Sequence, residues 1–392
     1  MREVVIVSGA RTPIGDFMGS LKNLTAVELG TIVLKAAISR AGIEPAQIDE
    51  VAAGHVYQAG CKGNPSRQVA IHAGCPVETV CLTINQQCPS SMRAAEILSQ
   101  QIMLNKIDIG AAVGIESMTN IPHLLLKARD GFRMGPARIE DGMLYDALID
   151  AFNNYHAGVT AENLVDMYDL PRQEIDEWAL MSHQRACRAI EEGKFKEEIV
   201  PVEIKSKKGT MIFDTDEHPS AKVNMEALAK LGPAFKKDGK ITAGNASGIN
   251  DGAAALILMG ADKAKELGLK PLARIVATAS ASVDPSIMGI GVVPAVRRAL
   301  QFAGMGMDDI ELWEMNEAFA AQVIACNREL KVDVDKINVL GSGVSLGHPV
   351  GMTGARLIVT LMNEMRRSGK RFGCATLCAG GGPAMATIIE AL

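Results

Sequence analysis

Two stretches decide the fold. EVVIVSGART (residues 3–12) and ARIVATASAS (273–282) are both β-branched, alanine-rich runs of the kind that form strands buried on both faces. Each leads to a segment of matching shape. LKAAISRAGIEPAQIDEV (34–51) and VRRALQFAGMGMDDIELW (296–313) place Ala-Gly at 41–42 and 303–304 and Ile at 48 and 310, a constant offset of 262. Each reads as a helix that ends at its glycine. Further along, CPSSMRAAEIL (88–98) matches HPVGMTGARLI (348–358), with Pro89 against Pro349 and Met92 against Met352 at an offset of 260. Three matches in one order at nearly one offset describe a duplicated strand–helix unit. Cys88 and His348 then occupy equivalent corners of the two copies.

The region between the copies differs. Residues 120–248 carry turn-rich, charged stretches such as KARDGFRMGPARIEDG and VEIKSKKGTMIFDTDEHPS, interrupted by helical patterns at TAENLVDMY (160–168) and RQEIDEWALMSHQRACRAIEEG (172–193). We read an inserted, substrate-contacting domain at 120–248. It divides an N-terminal half (1–119 with 249–270) from a C-terminal half (271–392).

Composition narrows the function. The chain has 392 residues, enough for more than one compact core. Its 40 Lys and Arg against 45 Asp and Glu leave a net charge of -5, too mild for an electrostatic nucleic-acid binder or a polybasic membrane surface. No run is long enough to span a membrane, and the first apolar run is too short for a secretory leader. Eight dispersed cysteines lack the density of a disulfide scaffold, so a reducing cytoplasm is the expected compartment.

Cys88 precedes Pro89 and a helix over Met92–Gln101, with the proline at the favoured first helical position. Backbone N–H groups at a helix start lower a thiol pKa and can receive an oxyanion. The alternative for any one of eight cysteines is a small core hydrophobe. His348 lies in the glycine-rich GSGVSLGHPVGMTGARL (341–357), a candidate base in a segment that lacks both phosphate-loop spacings. Cys378 enters a glycine turn in CATLCAGGGPAMA (374–386), and its spacing to Cys374 brings no metal companions. Asn316, in WEMNEAFAAQ (313–322), has helix capping as its commoner role.

Together these motifs resemble the thiolase family, the acetyl-CoA C-acyltransferases, along nearly the whole chain. The likeness includes RTPIG (11–15), GNPSRQVAIHAGCP (63–76), the Cys88 segment, HAGVTAEN (156–163), GNASGINDGAAAL (244–256), NEAFA (316–320), LGHPVGMTG (346–354) and CAGGG (378–382). The resemblance implies an α/β fold of duplicated βαβαβαββ halves in a five-layered α-β-α-β-α sandwich, an inserted loop domain holding coenzyme A, and a homotetramer. Acetyl-CoA, acyl-CoA and free coenzyme A would be the partners, with no bound cofactor, metal, nucleic acid or membrane.

By the same resemblance Cys88 would take the acyl group, His348 would accept its proton, and Cys378 would move a proton at the substrate α-carbon or to the leaving thiolate. Asn316 would hold a water that stabilises the enolate with His348. The N–H groups of Cys88 and Gly380 would bind the second oxyanion. His156, Ser247, Met288 and Phe319 match positions near the thioester and pantetheine, with Leu148 and Ala243 along the same tunnel. A second cysteine separates this pattern from the ketoacyl synthases, which resemble thiolases in fold and carry His or Asn there.

HAGVTAEN resembles the short-chain, acetoacetyl-CoA type, except that Ala157 stands where methionine is expected, which implies tolerance of longer or branched acyl chains. Ser342, Gly343 and Ala384 depart from the usual glycine pattern, and Ser220 stands where an arginine is expected near the coenzyme nucleotide. A non-catalytic acyl-CoA- or lipid-binding protein of the same fold is the competing reading, and a Cys88–Cys378 redox pair a further one. Retention of all four reactive side chains favours catalysis.

Overall fold

The computed structural model describes residues 2–206 and 209–392. The N-terminal copy runs β1 (Val4–Arg11), α1 (Ala26–Ala41), β2 (Glu50–Gly54), β3 (Val80–Ile84), α2 (Ser90–Met103) and β4 (Ile109–Ser117). After α3 (Gly158–Met167) and α4 (Arg172–Glu191), the chain returns as β5 (Asn250–Gly260). The C-terminal copy follows with β6 (Ala273–Ser282), α5 (Val292–Ala303), β7 (Leu312–Met315), α6 (Ala320–Leu330), α7 (Val350–Ser368), β8 (Phe372–Cys378) and β9 (Pro383–Ala391).

The strands run β7-β8-β9-β6-β1-β5-β4-β2-β3. Pairing repeats the duplication strand by strand. β2 lies parallel to β4 from Glu50 against Gly110, and β7 lies parallel to β8 from Leu312 against Gly373. β5 and β9 then run antiparallel to β4 and β8. The copies join where β1 meets β6, through Val5 against Arg274 and Ile6 against Ala273. Beside β2 the first copy has β3, whereas the second has a single parallel bridge, Trp313 to Ile337.

The layering follows from side-chain alternation. Val4 and Ile6 of β1 face a central core shared with Met92, Leu98, Leu357 and Ile358, while Val5 and Val7 face the outer core under α1. In β9, Met385 and Ile389 face the centre, and Ala384, Ala386 and Ile388 face the core under α5. Helices α2 and α7 thus form the middle of the five-layered sandwich.

Local signals close the outer helices as expected. Thr25 and Glu28 make a capping box at the start of α1, and Gly42 and Gly304 end α1 and α5 in the left-handed conformation at φ 70° and 65°. The central helices approach to near backbone contact. A Cβ on Gly354 would lie 2.6 Å from the Met92 nitrogen. Ser91 Oγ accepts the Ala355 N–H at 2.9 Å and donates to the Met352 carbonyl at 3.2 Å. This close crossing brings the starts of α2 and α7, and so Cys88 and His348, to one place.

One boundary differs from expectation. Pro89 is the cap rather than the first helical residue, α2 begins at Ser90, and Cys88 stands two residues before the helix. The segment between β4 and β5 is pinned to β1 by the fully buried Arg11, which donates to Asp216 at 2.6 and 2.8 Å and to Glu198 at 2.6 Å. Two carboxylates around one guanidinium offset the cost of burying it.

Candidate active site

A cavity of about 200 Å³ opens at the starts of the two central helices. Cys88, His348, Gly380, His156, Ser247, Met288, Phe319 and Leu148 all line it. Ala243 is exposed and does not, and Ala246 takes the wall position instead. Asn316 and Cys378 are fully buried outside the lining, Asn316 against His348 and Cys378 at the end of β8, two residues before Gly380.

Cys88 is half-buried and follows Gln87, a non-glycine residue held in the left-handed region at φ 55°. Asn85 Oδ1 accepts the Gln87 N–H at 2.9 Å, and the Ser90 hydroxyl donates to the Gln87 carbonyl at 2.5 Å, so the turn is held from both sides. The expectation of a lowered thiol pKa is reversed. Burial pushes the Cys88 thiol up to about 12, while hydrogen bonds from the Gly380 and Cys88 N–H groups pull only partly the other way. Cys88 therefore rests as a thiol, which could act as a nucleophile only with a base beside it.

His348 lines the same cavity. Burial, with the Arg356 charge adding to it, holds its imidazole down at about 3, so the ring is neutral at ordinary pH. Its tautomer follows from its neighbours. The Thr353 hydroxyl donates to the Pro349 carbonyl at 2.9 Å, so it meets His348 Nδ1, 2.7 Å away, with a lone pair. This arrangement places the ring proton on Nδ1 and makes Nε2 the acceptor. Asn316 Nδ2 approaches that nitrogen at 3.3 Å. Asn316 does not cap a helix, since α6 begins at Ala320 with Phe319 as its cap. Its Oδ1 is buried without a hydrogen-bond partner among the described residues, the kind of atom that functional sites retain.

Cys378 has its thiol raised well above the ordinary range by burial, with the neighbouring sulfurs of Cys88 and Cys326 adding to it. Both Cys88 and Cys378 are free thiols. Among the described residues no group of three or more His, Cys, Asp or Glu side chains could hold a metal ion.

The loops that carry these groups are fastened by buried polar side chains. The Glu317 carboxylate accepts from Trp178 Nε1 at 3.0 Å, Ser182 Oγ at 2.7 Å, Asn338 Nδ2 at 2.9 Å and the Val344 N–H at 3.1 Å. The Ser342 departure has a structural partner, because its hydroxyl accepts from Arg356 Nη2 at 3.0 Å. Ala384 lies buried opposite Cys378 in the β8–β9 ladder. Ser220 donates its N–H to His183 Nδ1 at 3.3 Å.

On the other wall, His156 Nδ1 accepts the Gly158 N–H at 3.0 Å, which leaves the ring proton on Nε2, and burial lowers its pKa. Phe235 stacks on this ring at 4.5 Å and meets Phe319 edge-on at 6.0 Å. Sequence reading missed Phe235. The available signal was an aromatic ring in a chain with only 4% aromatic residues, placed in the inserted region after a Gly-Pro turn. Ala157 also lines the cavity.

Comparison with known proteins follows the same outline. The family model for the thiolase N-terminal domain matches residues 4–262, and that for the thiolase C-terminal domain matches residues 269–391. The chain is 52% identical to the acetyl-CoA acetyltransferase of Syntrophomonas wolfei subsp. wolfei, with both chains covered in full. Among solved structures, it superposes on the Bacillus anthracis acetyl-CoA acetyltransferase with a TM-score of 0.98 at 48% identity, covering 100% of this chain and 99% of that one. On human mitochondrial 3-ketoacyl-CoA thiolase the TM-score is 0.97 at 40% identity, again covering 100% and 99%.

Proposed function

The chain belongs to the thiolase family, and from that premise we propose that it transfers an acyl group between coenzyme A thioesters through Cys88. It is an acyltransferase that makes and cleaves the carbon–carbon bond of short 3-ketoacyl-CoAs, acetoacetyl-CoA first among them. The observation that carries the residue roles is the meeting of a neutral thiol and a neutral imidazole with an accepting Nε2 in one cavity.

His348 Nε2 takes the Cys88 proton as the sulfur attacks the thioester carbonyl, and the Cys88 and Gly380 N–H groups receive the oxyanion. Coenzyme A leaves as its thiol, protonated from Cys378. In the second half-reaction Cys378 removes the α-proton of acetyl-CoA. His348 and a water held by Asn316 stabilise the resulting enolate, which attacks the acetyl group on Cys88. Splitting the condensation through an enzyme thioester keeps each step near balance, so the reaction runs both ways.

The inserted region 120–248 holds coenzyme A in this reading, with Leu148, His156 and Ser247 beside the pantetheine arm. A homotetramer in the cytoplasm is the assembly and compartment we propose. The apolar residues Phe132, Met134 and Ile139, exposed on the inserted region, and the free edge of β3 support contact between copies. No helix among the described residues is long and apolar enough to cross a membrane.

Incubation with acetoacetyl-CoA should leave an acetyl adduct visible by intact mass, consumed by free coenzyme A and lost in Cys88→Ala. Neither adduct nor turnover across several chain lengths would overturn the reading. Ala157, small and on the cavity wall, leaves room for branched or longer acyl groups. Ala157→Met should lower kcat/KM for such substrates by about tenfold relative to acetoacetyl-CoA. An unchanged preference would refute it.

A further inference from the structure

We propose that Asn250 is a positioning residue for His348, completed by Asp16 and His218 into a clamp drawn from four separated segments. The inference rests on the reading of His348 as the base.

His348 donates its backbone N–H to Asn250 Oδ1 at 3.0 Å. Asn250 Nδ2 donates to the Gly15 carbonyl at 3.1 Å and to Asp16 Oδ1 at 3.2 Å, and the same Asp16 oxygen lies 2.6 Å from His218 Nδ1. Asn250 is fully buried and uses its acceptor and both of its amide protons. It is also boxed in by backbone. Gly347 has φ 100°, and a Cβ there would lie 2.5 Å from Asn250 Cγ. A Cβ on Gly248 would lie 2.7 Å from both Asn250 Oδ1 and His218 Cε1. An amide so enclosed has one orientation.

Thr353 holds the ring of His348 at Nδ1, whereas Asn250 holds the backbone from which the ring projects. Removing Oδ1 strips a buried N–H of its acceptor and removes the wall that supports the Gly347 turn, so Nε2 moves relative to Cys88. His218 sits on the inserted region behind Gly248, which lines the cavity. The clamp thereby ties the segment read as holding coenzyme A to the base that works on its thioester.

Steady-state acetoacetyl-CoA thiolysis in Asn250→Ala, in Asn250→Asp and in the double variant combining Asp16→Asn with Asn250→Asp, with His348→Ala alongside, tests the clamp. Asn250→Ala should lower kcat roughly 100-fold while KM for acetoacetyl-CoA stays within about threefold, because the cavity wall is untouched. Asn250→Asp keeps the acceptor but sets a second carboxylate against Asp16, and the same loss is expected. In the double variant the nitrogen of the amide at position 16 takes the place of the shared Asp16 oxygen, donating to the carboxylate at position 250 and to His218 Nδ1, which becomes an acceptor, while the contact to the Gly15 carbonyl is not restored. Its kcat should rise at least about tenfold above that of Asn250→Asp.

A double variant no better than Asn250→Asp, or an Asn250→Ala or Asn250→Asp enzyme with parental kcat, overturns the clamp. Should Asn250→Ala not fold, the Asn250→Asp and double-variant pair decides alone. Parental turnover in His348→Ala overturns the base assignment itself, and with it the clamp. An inactive His348→Ala beside a fully active Asn250→Ala overturns the clamp alone.

Discussion

Cys88 and His348 stand at the same corner of two copies of one unit, yet their surroundings have made them opposites. Each follows a left-handed residue, Gln87 at φ 55° and Gly347 at φ 100°, and each precedes a proline that caps a central helix. The Cys88 corner is half-open, and its sulfur faces backbone N–H groups suited to a developing oxyanion. The His348 corner is closed at 5% exposure, with the backbone N–H bound to Asn250 and Nδ1 bound to Thr353. Duplication supplied two corners meeting in the middle layer, and neighbouring side chains gave one a half-open thiol and the other a closed, neutral imidazole, the pair that the proposed mechanism uses as nucleophile and base.

The largest break in this comparison should come from the preceding residue. Gly347→Ala puts a Cβ 2.5 Å from Asn250 Cγ in a backbone conformation that disfavours it. We expect kcat to fall roughly 100-fold, read by steady-state thiolysis, with a loss of a few kcal/mol in urea denaturation. A Gly347→Ala enzyme with parental kcat would show that the corner tolerates distortion.

The second effect is on stability against pH. The His348 imidazole is held at about 3 in the folded chain, and an unfolded histidine titrates near 6.5. Between those values the unfolded chain takes up the proton first. Stability present above about pH 6.5 is therefore lost as pH falls toward 3, by at most about 1.4 kcal/mol per pH unit from this group. His348→Asn should flatten the stability curve in that window, measured by denaturation at several pH values. Parallel curves for parent and variant would remove the closed-corner account of its neutrality.

The smallest effect belongs to Gln87. Gln87→Gly relieves a left-handed side chain but frees the unfolded backbone, so a gain of no more than about 1 kcal/mol is expected. A clear destabilisation in urea would mean that the Gln87 side chain itself holds the Cys88 turn.

Much of the fold was legible because duplication repeats local signals at a fixed spacing. Helix ends at Gly42 and Gly304, the paired strands β1 and β6, and the matching of Cys88 with His348 all rest on short-range physics. Resemblance to the thiolases brought Asn316, Cys378 and the cavity wall within reach. Three features were not legible. Ala243 was placed on the wall that Ala246 occupies, because a turn of three residues decides which alanine faces inward. Phe235 lies about 80 positions from the ring it stacks on. The direction of the Cys88 shift was misjudged, because a helix start favours the thiolate by an amount that sequence shows, whereas the burial opposing it depends on what closes over the sulfur.

The amino-acid sequence by itself determined the duplicated α/β architecture and the reactive residue types, since periodicity, glycine positions and motif spacing are local properties of the chain. Only the tertiary structure decided which nitrogen of His348 accepts, that Cys88 rests as a thiol, and that Asn250 and Asp16 stand behind His348. Those facts are set by burial and by hydrogen bonds between segments as far apart as Gly15 and His348, where the desolvation of each group depends on every other segment packed around it.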